Sequence, residues 1–358
     1  MINKLLASLG YTEMQQHALL SIVYMIHCHD NNTEFRSQDK EKWLNSIHFK
    51  HLEDCYDWLN NFCQTKMLRP KNTERLQLVP PKYIEQNFHN IIKYIKRLNL
   101  IDEKRPKYKE YDAILFLGAS QDSMESRNKL LVELLHHGCQ AERLYILSGD
   151  RDLWPKHETL TSIIVTEKIS KKIKASKSEL RAIYRKICHK INKILPEEKF
   201  LKNSSFEINA LREEIKALFE HQLDKNSEFP RIKWPNELDL AKILLRNYMV
   251  PDVIKTQYIN APKRKSGSRP NTLDTVIYFE KEYRDIAKDS GTKHKILVIS
   301  GQPFIEYQTV IVKSVLSPDN YYVEGIGKGD VATDEQAIAI CLDSIARSIY
   351  ASKFLIKS

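Results

Sequence analysis

Three short stretches combine small and polar residues in a way that suits an anion: Gly118-Ala119-Ser120, Ser148-Gly149-Asp150-Arg151 and Ser300-Gly301-Gln302. Each follows an apolar run, so each reads as the carboxyl end of a buried strand. Small residues there let a ligand approach the backbone, and the free N–H groups of a following helix attract negative charge. One such end is an ordinary turn; three in the same topological position describe a cleft. Gly118, Ser120, Ser148, Gly149, Ser300 and Gln302 are therefore expected to contact the ligand. Asp150 and Glu237 are the candidates to bind a ribose-type diol or to act as a general base. Glu237 has a plainer alternative as an acid in the first turn of a helix. Arg127 is open to two readings, holding an anionic group or pairing with an acid on a neighbouring helix. Asn271 and Thr272 read as a helix cap, a geometry that also aims N–H groups at a ligand.

The elements that must position these residues follow from hydrophobic periodicity. Asp112–Gly118 is a continuous apolar run ending in glycine, as for a strand covered on both faces. A helix with Arg127, Leu130, Leu131, Leu134 and Leu135 comes next, then a second strand at Leu144–Leu147. Strand, helix, strand at this spacing is a βαβ unit. The rhythm resumes at Trp234-Pro235-Asn236-Glu237, which opens a helix carrying Leu238, Leu240, Ala241, Leu244 and Leu245. A strand near Val253–Ile259, a basic loop with Lys263, Arg264, Lys265 and Arg269, and a helix opened by Asn271-Thr272 follow. Lys295–Ile299 is a clear later strand, Tyr321–Glu324 a final one, and Asp334–Ile349 a closing helix. Gly325-Ile326-Gly327-Lys328-Gly329 reads as a turn. The expected fold is α/β, a Rossmann-like open and mostly parallel sheet with helices on both faces.

Two further regions flank and interrupt that domain, expected at 107–151 and 233–358. Residues 1–106 read as helical: Thr12-Glu13-Met14-Gln15 is a capping box, Leu52, Tyr56, Leu59 and Phe62 mark an amphipathic helix, and Ile84, Phe88, Ile91, Ile92 and Ile95 mark another behind Pro80-Pro81. Residues 152–232 read as a helical insertion. Within Glu167–Lys199, 11 Lys and Arg stand against 4 Asp and Glu, so this stretch is either a solvated helix packed by one face or a docking surface for an acidic partner such as a protein, nucleic acid or anionic lipid.

The strand-end residues resemble the YdcF-like family, which includes the SanA and ElyC proteins. Asp112–Gly118 with Arg127 downstream looks like its opening block, and Leu147-Ser148-Gly149 is similar to its "SGG" motif, with Asp150 replacing the second glycine. Glu237 resembles the acidic residue of its "TEA" segment, Asn271-Thr272 the start of "NT-x-EN", and Ile296–Ser300 with Pro303 its fourth block. The order and spacing fit across about 112–315, interrupted by the insertion. The resemblance implies a Rossmann-like fold whose polar motifs line one cleft, nucleotide-type ligands such as S-adenosylmethionine, and a bacterial origin. Two motifs depart from the family pattern. Phe304-Ile305-Glu306 stands where His or Gln and then Arg is usual, which removes a bidentate anion donor. Asp274-Thr275 replaces Glu-Asn, keeping the acid and losing the amide; Lys263, Arg264, Lys265 and Arg269 are placed to restore positive charge.

Composition narrows the remaining classes. Lys+Arg 56 against Asp+Glu 46 gives +10 over 358 residues, compatible with an anionic ligand but diagnostic of none. Six scattered cysteines form no disulfide framework and no zinc-ligand spacing, and no apolar run is long enough to span a membrane. These features point to a cytoplasmic protein; delivery by a secretion system without a cleaved signal would leave no mark. No Walker A sequence, nucleophile elbow or G-x-G-x-x-G is present, His27-Cys28-His29 and His136-His137 cannot converge on a metal, and no nucleic-acid motif is seen. The expectation is a small anionic ligand, a nucleotide-type molecule or phosphorylated metabolite, with cofactor and reaction unassigned. The alternative is a non-catalytic interaction protein that holds a partner through its helical regions.

Overall fold

The computed structural model describes residues 1–70, 78–151, 235–247, 254–264, 270–287, 293–329 and 333–356, with the single positions 153, 176, 178 and 250. The basic insertion at 152–232 thus lies outside the described residues apart from three isolated positions, as do Lys265 and Arg269 of the basic loop.

In chain order the helical region comprises α1 (Ile2–Ser8), α2 (Glu13–Asp30), α3 (Lys40–Ser46), α4 (Leu52–Lys66) and α5 (Lys82–Arg97). Strands and helices then alternate: β1 (Glu110–Leu117), α6 (Gln121–His136), β2 (Gln140–Gly149), α7 (Glu237–Asn247), β3 (Lys255–Ala261), α8 (Thr272–Ala287), β4 (His294–Gly301), α9 (Ile305–Val315), β5 (Tyr321–Lys328) and α10 (Glu335–Ile356). The five strands form one sheet ordered β3-β2-β1-β4-β5, with β1–β2, β2–β3 and β4–β5 pairing in parallel. This is the expected α/β, Rossmann-like open sheet. Ala113–Phe116 and Ile296–Ile299 are completely buried, which is why both read as unbroken apolar runs. Among the described residues no helix is long and apolar enough to cross a membrane.

The chain divides into two compact units. One holds Met1–Lys71, Leu78–Lys109 and Ile286–Ser358; the other holds Asn72–Gln77 and Glu110–Asp285.

The first unit joins the N-terminal helices to β4, α9, β5 and α10. Its core is one cluster in which Leu19, Ile22 and Ile26 of α2, Leu59 and Cys63 of α4, and Ile91 and Ile95 of α5 meet Leu342, Ile345 and Ile349 of α10. Two polar clamps fix α4 on α10: Tyr56 Oη donates to Ile349 O at 2.9 Å and Gln64 Nε2 to Ala346 O at 2.7 Å. The capping box at Thr12 forms, with Gln15 N–H donating to Thr12 Oγ1. One sequence expectation is corrected here. Gly325–Lys328 is not a turn but the second half of β5. A Cβ on Gly325 would lie 1.8 Å from Thr309 Oγ1 of α9, so this glycine serves a close helix approach inside a strand. Gly327 exchanges both backbone hydrogen bonds with Lys104, at 3.0 and 3.2 Å.

The second unit is the βαβ pair β1–α6–β2, followed by α7, β3 and α8. Parallel register places Leu115 beside Tyr145 and Ile146 beside Tyr258. Tyr145 stacks edge-on against Phe279 of α8 at 4.9 Å. Lys242 of α7 sits over Tyr258 at 5.3 Å. Because adjacent strand residues face opposite ways, α8 covers the Tyr145 face, and α7 covers the face that carries Ile146, Ser148 and Asn260.

Candidate functional site at the ends of β1 and β2

The second unit draws most of the expected site residues to one place, and the start of α7 gathers them. Asn236 caps that helix: its Oδ1 accepts from the N–H groups of Leu238 and Asp239, and Asp239 Oδ2 accepts from Asn236 N–H. The same Asn236 donates through Nδ2 to Asp150 Oδ1 at 3.0 Å. Glu237, the first helical residue, is thereby held over the ends of both strands. Its Oε2 accepts from Arg151 Nε at 2.8 Å, and Oε1 accepts from Gly149 N–H at 3.4 Å. Both side chains of this ion pair are only 11% exposed. Arg151 also reaches Ala119 O at 3.3 Å, which ties the pair to the loop after β1.

Close approach explains the two glycines. A Cβ on Gly118 would stand 2.0 Å from Glu237 Oε1, and one on Gly149 would stand 2.6 Å from Pro270 Cγ. Gly118 N–H donates to Leu147 O, which locks the two strand ends together. The lack of side chains at Gly118 and Gly149 is what admits Glu237 and Pro270 to the strand ends.

Arg127 comes up from α6 beneath this layer, 4% exposed, and donates from Nη1 to Leu117 O and Gly118 O. Burial pushes its pKa down to about 10, and the nearby charge of Glu237 opposes that shift. Its Nη1 thus caps the last carbonyls of β1, with the charge of Glu237 nearby.

Not every polar group is used. Arg127 Nε, both polar atoms of Asn128, Ser148 Oγ and Asn260 Oδ1 are buried without a hydrogen-bond partner. Ser148 and Asn260 are register neighbours on the face under α7. Ser148 is completely buried, and Asn128 is 1% exposed. A buried group left in this state costs about 1–3 kcal/mol, so this concentration needs an occupant or a reason.

The remaining expected residues fall outside the cluster. Ser120 is exposed at the start of α6; its hydroxyl turns to Ser123 Oγ at 3.2 Å and leaves the helix N–H groups without a side-chain cap. Asn271 forms a reciprocal cap with Asp274, at 2.8 and 3.0 Å, with Thr272 as the first residue of α8. Arg264 spends its charge on Asp274 at 2.7 Å. Ser300 and Gln302 belong to the first unit. Ser300 is buried against Gln308, and Gln302 Nε2 clamps the carbonyls of Asn99 and Asp102 at 2.7 and 2.8 Å.

Arg151, Asn236, Asn128 and Asn260 were not singled out from the sequence as functional. Asn236 had a signal, because Asn followed three residues later by Asp marks a helix start. Arg151 followed a strand end, but nothing local names an acid 86 residues away as its partner. Among the described residues no group of three His, Cys, Asp or Glu side chains is placed to hold a metal ion. Comparison with protein-family models, curated proteins and solved structures gave no match.

Proposed function

We propose that the chain is a small-molecule-binding α/β protein whose ligand is anionic, of the nucleotide type or a phosphorylated metabolite, taken at the carboxyl ends of β1 and β2. The observation that carries this reading is the set of buried, unpartnered polar atoms there, Ser148 Oγ and Arg127 Nε above all. Two features favour an anion. The start of α6 has uncapped N–H groups, and the Arg151 guanidinium is tied to the loop just before them. In this reading Arg127 and Arg151 hold the negative group, and Asp150 and Glu237 position those arginines and the strand-end backbone. The YdcF-like resemblance fits it, since its opening, "SGG" and "TEA" blocks are the residues of this cluster. That likeness makes nucleotides the first anionic ligands to test, with S-adenosylmethionine, a sulfonium cation whose only negative group is its carboxylate, beside them.

The test is a thermal-shift series with S-adenosylmethionine, nucleoside phosphates and sugar phosphates on the full chain. A ligand at about 100 times its Kd stabilises the native state by about 2.7 kcal/mol. Ser148→Ala is the diagnostic variant. It removes a hydroxyl that has no partner in the free protein, so the unliganded variant is expected to be about 1 kcal/mol more stable than the parent. The same variant should lose most of the ligand-induced shift. Absence of any shift in the parent, or a shift that survives Ser148→Ala unchanged, overturns the reading.

A further inference from the structure

The first unit contains a cavity of about 380 Å³ that the strand-end site does not use. It is walled by the start of α2, the segment after α5, and residues of α9, β5 and α10. Its volume lies at the lower end of the range for small-molecule pockets, roughly 300–1,000 Å³.

Charge gives the first indication of what it takes. Lys104, Lys107 and Lys313 all line it. Lys104 lies 3.9 Å from Glu306, whereas the ammonium groups of Lys107 and Lys313 have no ion-pair partner among the described residues. Two uncommitted ammonium groups match a phosphate monoester, which carries about 1.5 to 2 negative charges at neutral pH.

The interior gives the second indication. Glu324, 5% exposed, interrupts the buried apolar residues of β5, and both its oxygens accept from Lys107 N–H, at 3.1 and 3.3 Å. Its carboxylate sets a negatively charged acceptor in a cavity wall whose strand is otherwise apolar at this point. Tyr11 also lines the cavity, and its phenol stays protonated well past its ordinary range, because burial and the charge of Glu306 outweigh the opposing contact with Ser348. Ser348, buried on α10, adds a second hydroxyl. The walls therefore present a carboxylate acceptor and neutral hydroxyl donors beside a lysine rim, which is the complement of a molecule with one phosphate and several hydroxyl groups.

We propose that this cavity is a second ligand site, for a phosphorylated polyol or sugar, with the phosphate on Lys107 and Lys313 and the hydroxyl groups on Glu324 and Tyr11. Calorimetric titration with glucose 6-phosphate tests it, with glucose and inorganic phosphate as its separate halves. Glucose 6-phosphate should bind at least about tenfold more tightly than either half. Lys107→Glu and Lys313→Glu, both on exposed side chains that leave the fold intact, should each weaken it by about tenfold or more. Glu324→Gln should weaken glucose 6-phosphate while leaving inorganic phosphate unchanged. Ser148→Ala, in the other unit, should change none of these values. No measurable heat with glucose 6-phosphate, or heats indifferent to both lysine variants, overturns the proposal. Inorganic phosphate binding as tightly as the sugar phosphate overturns the polyol part.

Discussion

Glu237→Ala should lower the stability of the second unit by about 3–5 kcal/mol, the range for removing one partner of a buried ion pair. The loss would be far larger than for a surface pair, whose typical worth is under about 1 kcal/mol. Three consequences combine. Arg151 loses its 2.8 Å carboxylate contact in a setting where both side chains are 11% exposed. Gly149 N–H loses its acceptor. Arg127, already depressed to about 10 by burial, loses the charge that opposes that shift. Glu237→Gln separates charge from shape: it keeps an acceptor near Gly149 N–H and still strands two guanidinium groups, so it should cost more than half as much. Adding Arg151→Met to Glu237→Ala should recover part of the loss but not all, because Arg127 stays charged and buried. Hydrogen exchange at the amides of β2 and α7 reads this directly. Protection within about 1 kcal/mol of the parent in Glu237→Ala would mean that the pair is solvated and that it does not bind α7 to the strand ends.

How much of this was legible beforehand divides along a physical line. β1, β2 and β4 were read correctly because strands covered on both faces need unbroken apolar runs, a property of single segments. The same holds for the Thr12 capping box and for the helix that begins at Glu237. Gly118, Gly149, Asp150 and Glu237 were singled out by residue type and position at strand ends, and the structure does bring them together. Their roles were not legible, because those depend on contacts across 86 to 88 residues. Residue type alone did not announce that Glu237 and Pro270 approach Gly118 and Gly149 so closely. Gln302, chosen for a polar amide after a strand, instead ties down the segment at Asn99 and Asp102. No rule of periodicity announces a clamp of that kind.

The Phe304-Ile305-Glu306 block also has a packing account. Ile305 is 2% exposed, and its side chain stands 3.2 Å and 2.8 Å from where Cβ atoms on Gly325 and Gly327 would lie. An apolar residue there belongs to the contact between α9 and β5. The anion chemistry proposed for this chain therefore rests on Arg127 and Arg151 rather than on that block.

Gly325→Ala should cost about 3 kcal/mol, at the upper end of the usual range for overpacking a filled core. The added Cβ meets Thr309 Oγ1 at 1.8 Å, Thr309 Cβ at 3.0 Å and Ile305 Cγ2 at 3.2 Å. Thr309 has little freedom to yield, since it is 3% exposed and its hydroxyl donates to Ile305 O at 2.6 Å. Thr309→Ala alone should cost only about 1 kcal/mol, because the lost bond is a local one to the preceding helical turn. The combination should be more stable than Gly325→Ala by itself. Removing Oγ1 leaves contacts of 3.0 Å and 3.2 Å, which a shift of a few tenths of an ångström relieves. The two sites are therefore expected to couple by about 2 kcal/mol, within the range for residues in direct contact. Urea-unfolding midpoints of the four proteins in the cycle measure this. Strict additivity would show that α9 stands off from β5, and the glycines at 325–329 would then revert to the turn that their sequence suggests. A large coupling would establish that a strand can run through a glycine-rich stretch because a helix above leaves no room for side chains.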